Sequence, residues 1–128
     1  VQSAAIGADE RSTSTELITA MLSDELTHDI AVIYAAWNSL LADAIRRPAA
    51  RGTIKMAFDV QLGMIESALR RDYPSAPPAR IRDTAYVVVC LVEQNNILQQ
   101  LGYPRARRLA TRNAALRLVG RLAGEFGA

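Results

Sequence analysis

Between Ala79 and Leu101 the chain runs 23 residues without a glycine or a proline, and the stretch 85–92 in its middle holds no charged side chain. That segment limits the possible folds more than any other. Val87-Val88-Val89 on its own reads equally well as a buried strand, because a short apolar run has no decisive period. Its flanks decide the matter. Residues 80–84 and 93–100 tolerate helix and contain no turn residues, and the whole stretch is far longer than a usual strand. Gly102 supplies the residue expected just past a helix C-terminus. The segment is predicted to be one long helix, apolar on nearly every side, that needs partners on more than one face.

The rest of the chain falls into place around it. Thr13 and Glu16 stand three apart before an apolar run, the pattern of a capping box. Leu17, Ile18, Met21, Leu22 and Leu26 follow at helical spacing, and the stripe continues through Ile30, Ile33, Trp37, Leu40, Leu41 and Ala44. A single helix over 14–46 would be about 50 Å long, too long for one small domain. Ser23, followed by Asp24 and Glu25, offers a second N-cap, so two helices are expected with a break near 23–27. Arg46 and Arg47 suit the end of the second, and Pro48 stops it. Gly52-Thr53 is the next punctuation. Ile54, Phe58, Gln61, Leu62, Ile65 and Leu69 form one face of a third helix, and Met56, Val60 and Met64 form a second ridge. Two apolar faces imply burial on both sides. Three prolines within 74–78 make a loop. After the long helix, Pro104 fits the first position of a last helix reaching about Phe126. Its apolar positions are Leu109, Leu116, Leu118, Val119, Leu122 and Phe126.

The expectation is one all-α domain over 13–128, a bundle of five or six helices, preceded by a loose leader at 1–12. With 128 residues and half of them apolar, the chain can bury about two-thirds of its unfolded surface. A net charge of +2 is no strong nucleic-acid footprint for the chain as a whole. A lone cysteine, Cys90, forms no internal disulfide, and with no signal peptide or 18-residue apolar span in view the expected setting is cytoplasmic, away from membranes. The first residue is valine, so the chain is expected to be a fragment or a processed form.

Catalytic patterns are scarce. There is no phosphate-cradling glycine loop, no Cys-x-x-Cys and no His-Glu-x-x-His. His28, the single histidine, has Asp24 one turn before it and Asp29 beside it. Two or three ligands from one helix are too few for a metal without partners elsewhere, and no metal or other cofactor is expected. Glu93 follows the longest apolar run. It reads either as the point where the helix meets water or as a polar contact for a ligand. Gln94, Asn95, Asn96, Gln99 and Gln100 put five amides in seven residues, suited either to a symmetric interface or to an exposed polar face. The arginines of the last helix (105, 107, 108, 112, 117 and 121) read as a solvated face, with nucleic-acid, membrane or partner contact as rivals. The large flexible side chains on three helices fill a core or wall a pocket. The pocket reading takes Tyr34 and Trp37 from the second helix, Met64 from the third, and Tyr86, Cys90 and Glu93 from one face of the long helix.

The stretch ALRRDYPSAPPARIRDTAYVVVCLVEQNNILQQLGYPRARRLATRNAALRLVGRLAG resembles the end of TetR-like (tetracycline-repressor-like) transcriptional regulators. The shared pattern is an Ala/Leu/Arg helix, a proline-bearing loop, a long apolar helix and a final Arg/Ala/Leu helix, here at 56–71, 73–78, 80–101 and 105–126. The resemblance extends over roughly 13–126 and is strongest after 66. It implies an effector-binding and dimerisation domain whose last two helices form a four-helix bundle with a second copy. It also implies an apolar cavity for a small effector among the other helices. Gln94, Ile97, Leu98, Leu101, Leu109, Asn113, Leu116 and Leu122 would form the homodimer interface. The DNA-reading helix-turn-helix of such regulators has no counterpart in this sequence, so DNA would be reached only through a head outside it. The rivals are a ligand-free helical adaptor that dimerises in the same way and a small all-helical enzyme. An enzyme needs more inward charge than Glu93, Arg82 and Asp59 supply.

Overall fold

The computed structural model describes residues 13–22 and 28–127, with side chains described for all of these except 28–34. The leader at 1–12, the break at 23–27 with its Ser23 cap, and the side chains of His28, Asp29 and Tyr34 lie outside the described residues. Five helices, and no strand, occur among the described residues: α1 Ser14–Met21, α2 His28–Ala44, α3 Pro48–Asp72, α4 Pro78–Gln100 and α5 Ala106–Phe126.

Local chemistry sets the helix ends. Thr13 caps α1, its Oγ1 accepting from the Glu16 backbone N–H at 3.1 Å. A second cap comes from across the fold. The Asp72 carboxylate at the end of α3 accepts from both the backbone N–H and the hydroxyl of buried Ser14. This satisfies an orphan donor of the α1 N-terminus with an anion, the sign that its dipole favours. Pro48 and Pro78 each open a helix at its first turn, where a missing N–H is harmless. The Gly52-Thr53 break expected from the sequence does not occur, because Pro48 starts α3 earlier and the helix runs through an exposed glycine. α4 ends in a Schellman arrangement. Gly102 takes φ +96°, its N–H bonds to Gln99 O at 3.0 Å, and Tyr103 N–H bonds to Leu98 O at 3.3 Å. Pro104 stands two residues before α5 rather than at its first position.

α4 is the centre of the packing and lies against α2, α3 and α5, while α1 bridges α3 and α5. Its inward stripe is Ile81, Ala85, Val88, Val92 and Asn95, stepping by four or three residues. Ile18, Met21 and Leu22 of the α1 segment, Ile65 and Leu69 of α3, and Ala115, Val119 and Leu122 of α5 close on that stripe. The second ridge expected on α3 is not buried. Met56 and Val60 face solvent and Met64 is half-buried, while the face with Ile54, Gln61, Ile65, Ala68 and Leu69 is covered, because α3 borders the bundle instead of crossing it. At the open end of the α4/α5 hairpin Arg80 bonds Glu125 at 2.6 Å and stacks over the Phe126 ring at 5.4 Å. No helix among the described residues is long and apolar enough to cross a membrane.

Candidate functional site

Two polar assemblies stand out against this apolar core. The first lies between α3 and α4, beside α2. Gln61 is buried in an otherwise apolar stripe of α3, and its Nε2 donates to Glu93 Oε1 of α4 at 3.2 Å. The half-buried carboxylate is thus held by a neutral amide and not left at the solvent edge. Trp37 of α2 meets Phe58 of α3 edge to face, with ring centroids 5.4 Å apart. Its indole Nε1–H is buried and finds no acceptor among the described residues. Asn38 donates to Gln100 Oε1 at 3.3 Å and ties that turn of α2 to the end of α4.

The second assembly centres on Arg108, buried to 4% exposure. Its Nη1 donates to Asn96 Oδ1 and Gln99 Oε1, both at 2.9 Å, and its Nη2 donates to Met21 O at 2.9 Å. One guanidinium therefore joins the end of α1, the last turns of α4 and the start of α5. A guanidinium can only donate, so both amides must turn their oxygens toward it. Next to it, Asn95 pairs with Thr111 Oγ1 at 3.2 Å, while Thr111 also donates to Arg107 O at 2.9 Å. A hydroxyl has one hydrogen, so Thr111 Oγ1 shares it between Asn95 Oδ1 and Arg107 O, and the buried Asn95 amide nitrogen finds no acceptor among the described residues.

These placements revise several expectations. Tyr86 is 61% exposed and Cys90 is also exposed, so neither lines an interior with Trp37. They sit a third of a turn from the buried positions Ala85 and Val89, on the outer side of α4. Met64 is half-buried on α3, and Glu93 turns inward to Gln61. Of the amide cluster, Asn95 and Asn96 are spent inside the chain, and Gln94 and Gln100 are exposed. Leu98, Leu101, Leu109 and Asn113 are exposed, and Ile97 and Leu116 are half-buried. Leu122 is fully enclosed in the chain's own core, which leaves it no surface for a partner. Phe58 and Gln61 belong with Trp37 and Glu93. The signal for Gln61 was a polar residue inside an apolar helical stripe. Arg108 gave no such signal, because five other arginines surround it in the sequence. No group of three His, Cys, Asp or Glu side chains able to hold a metal occurs among the described residues.

Comparison with protein-family models, with curated proteins and with solved structures returns no match for this chain.

Proposed function

We propose that this chain is the effector-binding and dimerising domain of a TetR-like transcriptional regulator, working in the cytoplasm, and that it is not an enzyme. The observation that carries the reading is the apolar strip left in water on the last two helices. Tyr86, Val87, Leu98 and Leu101 are exposed along α4, Leu101 to 72%, and Tyr103 and Leu109 extend the strip past the turn. The strip runs about 22 Å along α4 at 1.5 Å per residue. Apolar surface left in water in this way favours association, at about 25 cal/mol for each Å² covered. A second copy covers the Leu98–Leu101–Leu109 end of the strip by two-fold symmetry and makes a four-helix bundle. Gln94 and Asn113, exposed beside the leucines, both donate and accept and so can meet their own copies.

The effector site in this reading is the α2–α3–α4 junction, with Trp37, Phe58, Met64, Gln61 and Glu93 as its contacts. The ligand is a small apolar molecule with a hydrogen-bonding group for Trp37 Nε1 or for Glu93. Operator binding belongs to a head outside this sequence. Exposed Cys90, with no second cysteine to pair with, fits a reducing compartment. The outward placement of Tyr86 and Cys90 favours one rival, an adaptor that dimerises without a ligand. A compound library read by Trp37 fluorescence and by melting temperature separates the two. Compounds that move both signals in the wild type and fail in Glu93→Gln support the effector site. A library that moves neither leaves the dimerising module alone.

A further inference from the structure

The strip on α4 is not uniform in character, and its two ends suit different occupants. Near the Gly102 turn it is neutral, built from Gln94, Leu98, Leu101, Leu109 and Asn113. Toward the other end of the hairpin it sinks into a groove of about 570 Å³. Val87 and Leu91 of α4 form one wall, and Ala114 and Leu118 of α5 form the other. Arg117 and Arg121 stand at its edge, and no carboxylate is among its lining residues. Neither arginine makes an ion pair within 4 Å among the described residues; Glu125, which feels the Arg121 charge, is bonded by Arg80. Gly120 also lines the groove, and a Cβ placed there would meet nothing within 4 Å.

We propose that this groove binds a small single-chain anionic amphiphile, a molecule with a medium-length hydrocarbon tail and a carboxylate or sulfate head. Three features support that class. The volume falls in the range of about 300–1,000 Å³ typical of small-molecule sites. The floor is aliphatic and suits a tail. Two guanidiniums at the edge, neither with a carboxylate within 4 Å among the described residues, suit an anionic head whose oxygens each can grip through two N–H groups. The charge also argues against a second copy as the occupant of this end. Across a two-fold axis the same patch faces itself, and Arg117 and Arg121 would be brought toward their own copies. The neutral end near Gly102 has no such conflict. The site is separate from the α2–α3–α4 junction and does not depend on it.

The test uses the chain as it is, with decanoate kept below its micellar concentration, followed by isothermal titration calorimetry. Decyltrimethylammonium, with the same tail and the opposite charge, and propionate, with the same head and almost no tail, serve as comparisons. The expected result is saturable binding of decanoate, one per chain, and at least tenfold weaker binding of both comparison molecules. Gly120→Leu, which adds bulk to the groove lining at a position where a Cβ meets no atom within 4 Å, and the pair Arg117→Gln with Arg121→Gln should each weaken decanoate at least tenfold. Circular dichroism checks that both variants keep the wild-type helix content. The wild-type comparison of the two head groups decides the matter if either variant does not. Equal binding of decanoate and decyltrimethylammonium overturns the proposal, as does the absence of saturable heat. So does decanoate binding that survives both folded variants, or uptake of an acidic peptide where decanoate fails.

Discussion

Arg108 shows how much one residue can join. Its guanidinium holds the end of α1, the last turns of α4 and the start of α5 at once, and every hydrogen bond described for it is to a neutral acceptor at 2.9 Å. Arg108→Met keeps much of the apolar stem but strands Asn96 Oδ1, Gln99 Oε1 and Met21 O in the interior. The expected loss is about 3 kcal/mol, since each stranded buried group costs about 1–3 kcal/mol. Urea denaturation measures it, and a loss below about 1 kcal/mol would mean that water readily replaces the guanidinium. Arg108→Lys should recover little, because an ammonium lacks the planar fork that reaches two amides and a carbonyl together. At the surface, Glu125 gives a pH signal. The hydrogen bond from Arg80 is the largest cause holding its carboxyl below the ordinary value of 4.5, and the charges of Arg80 and Arg121 add to it. A carboxyl depressed in the folded state contributes stability that is fully present above its unfolded value. That contribution disappears as the pH falls through the lower folded value. NMR titration of the Glu125 carboxyl should give a midpoint below 4.5, and Arg80→Gln should move it back up. An unchanged midpoint in that variant would assign the shift to another neighbour.

At the scale of elements, the helices were legible where backbone chemistry punctuates them and less so where packing decides. The proline loop, the single helix over the valine run and the Gly102 stop all stand as the residues predicted, because each rests on a local rule. Gly102 tests that directly. Its φ of +96° is strained for any residue with a Cβ, so Gly102→Ala should lower stability by about 1 kcal/mol. The denaturation slope should stay unchanged, and equal stability would show that the turn relaxes without strain. Gly52 misled for the opposite reason. An exposed glycine inside a helix costs only about 1 kcal/mol, and the first-turn proline four residues before it fixes the helix start. The inward turn of Asn95 and Asn96 was hidden as well, because their partners Thr111 and Arg108 sit 16 and 12 residues away on another helix. The pair Ser14 and Asp72, 58 residues apart, is a contact that periodicity cannot reveal. In the candidate site, spacing put Tyr86, Cys90 and Glu93 on one face of α4, but it could not tell that Tyr86 and Cys90 lie beyond the neighbours' cover while Glu93 turns to Gln61.

For the whole molecule, the central question is what covers the strip on α4 and α5. The core is complete within one chain on the side of α1 and α3, and Leu122 is fully enclosed there. The opposite side leaves Leu98, Leu101 and Leu109 in water. If a second copy covers them, charge placed at that strip should separate the copies without unfolding either. Leu98→Glu with Leu101→Glu should therefore keep the wild-type helix content by circular dichroism while lowering the apparent mass. A variant that unfolds outright would show that these leucines serve the single chain. The most direct measurement is multi-angle light scattering of the unmodified chain at about 50 µM, a concentration at which micromolar self-association is largely complete. A dimer gives twice the single-chain mass of 13.9 kDa, falling toward that value on dilution or in the double glutamate variant. A mass of 13.9 kDa at every concentration would contradict it.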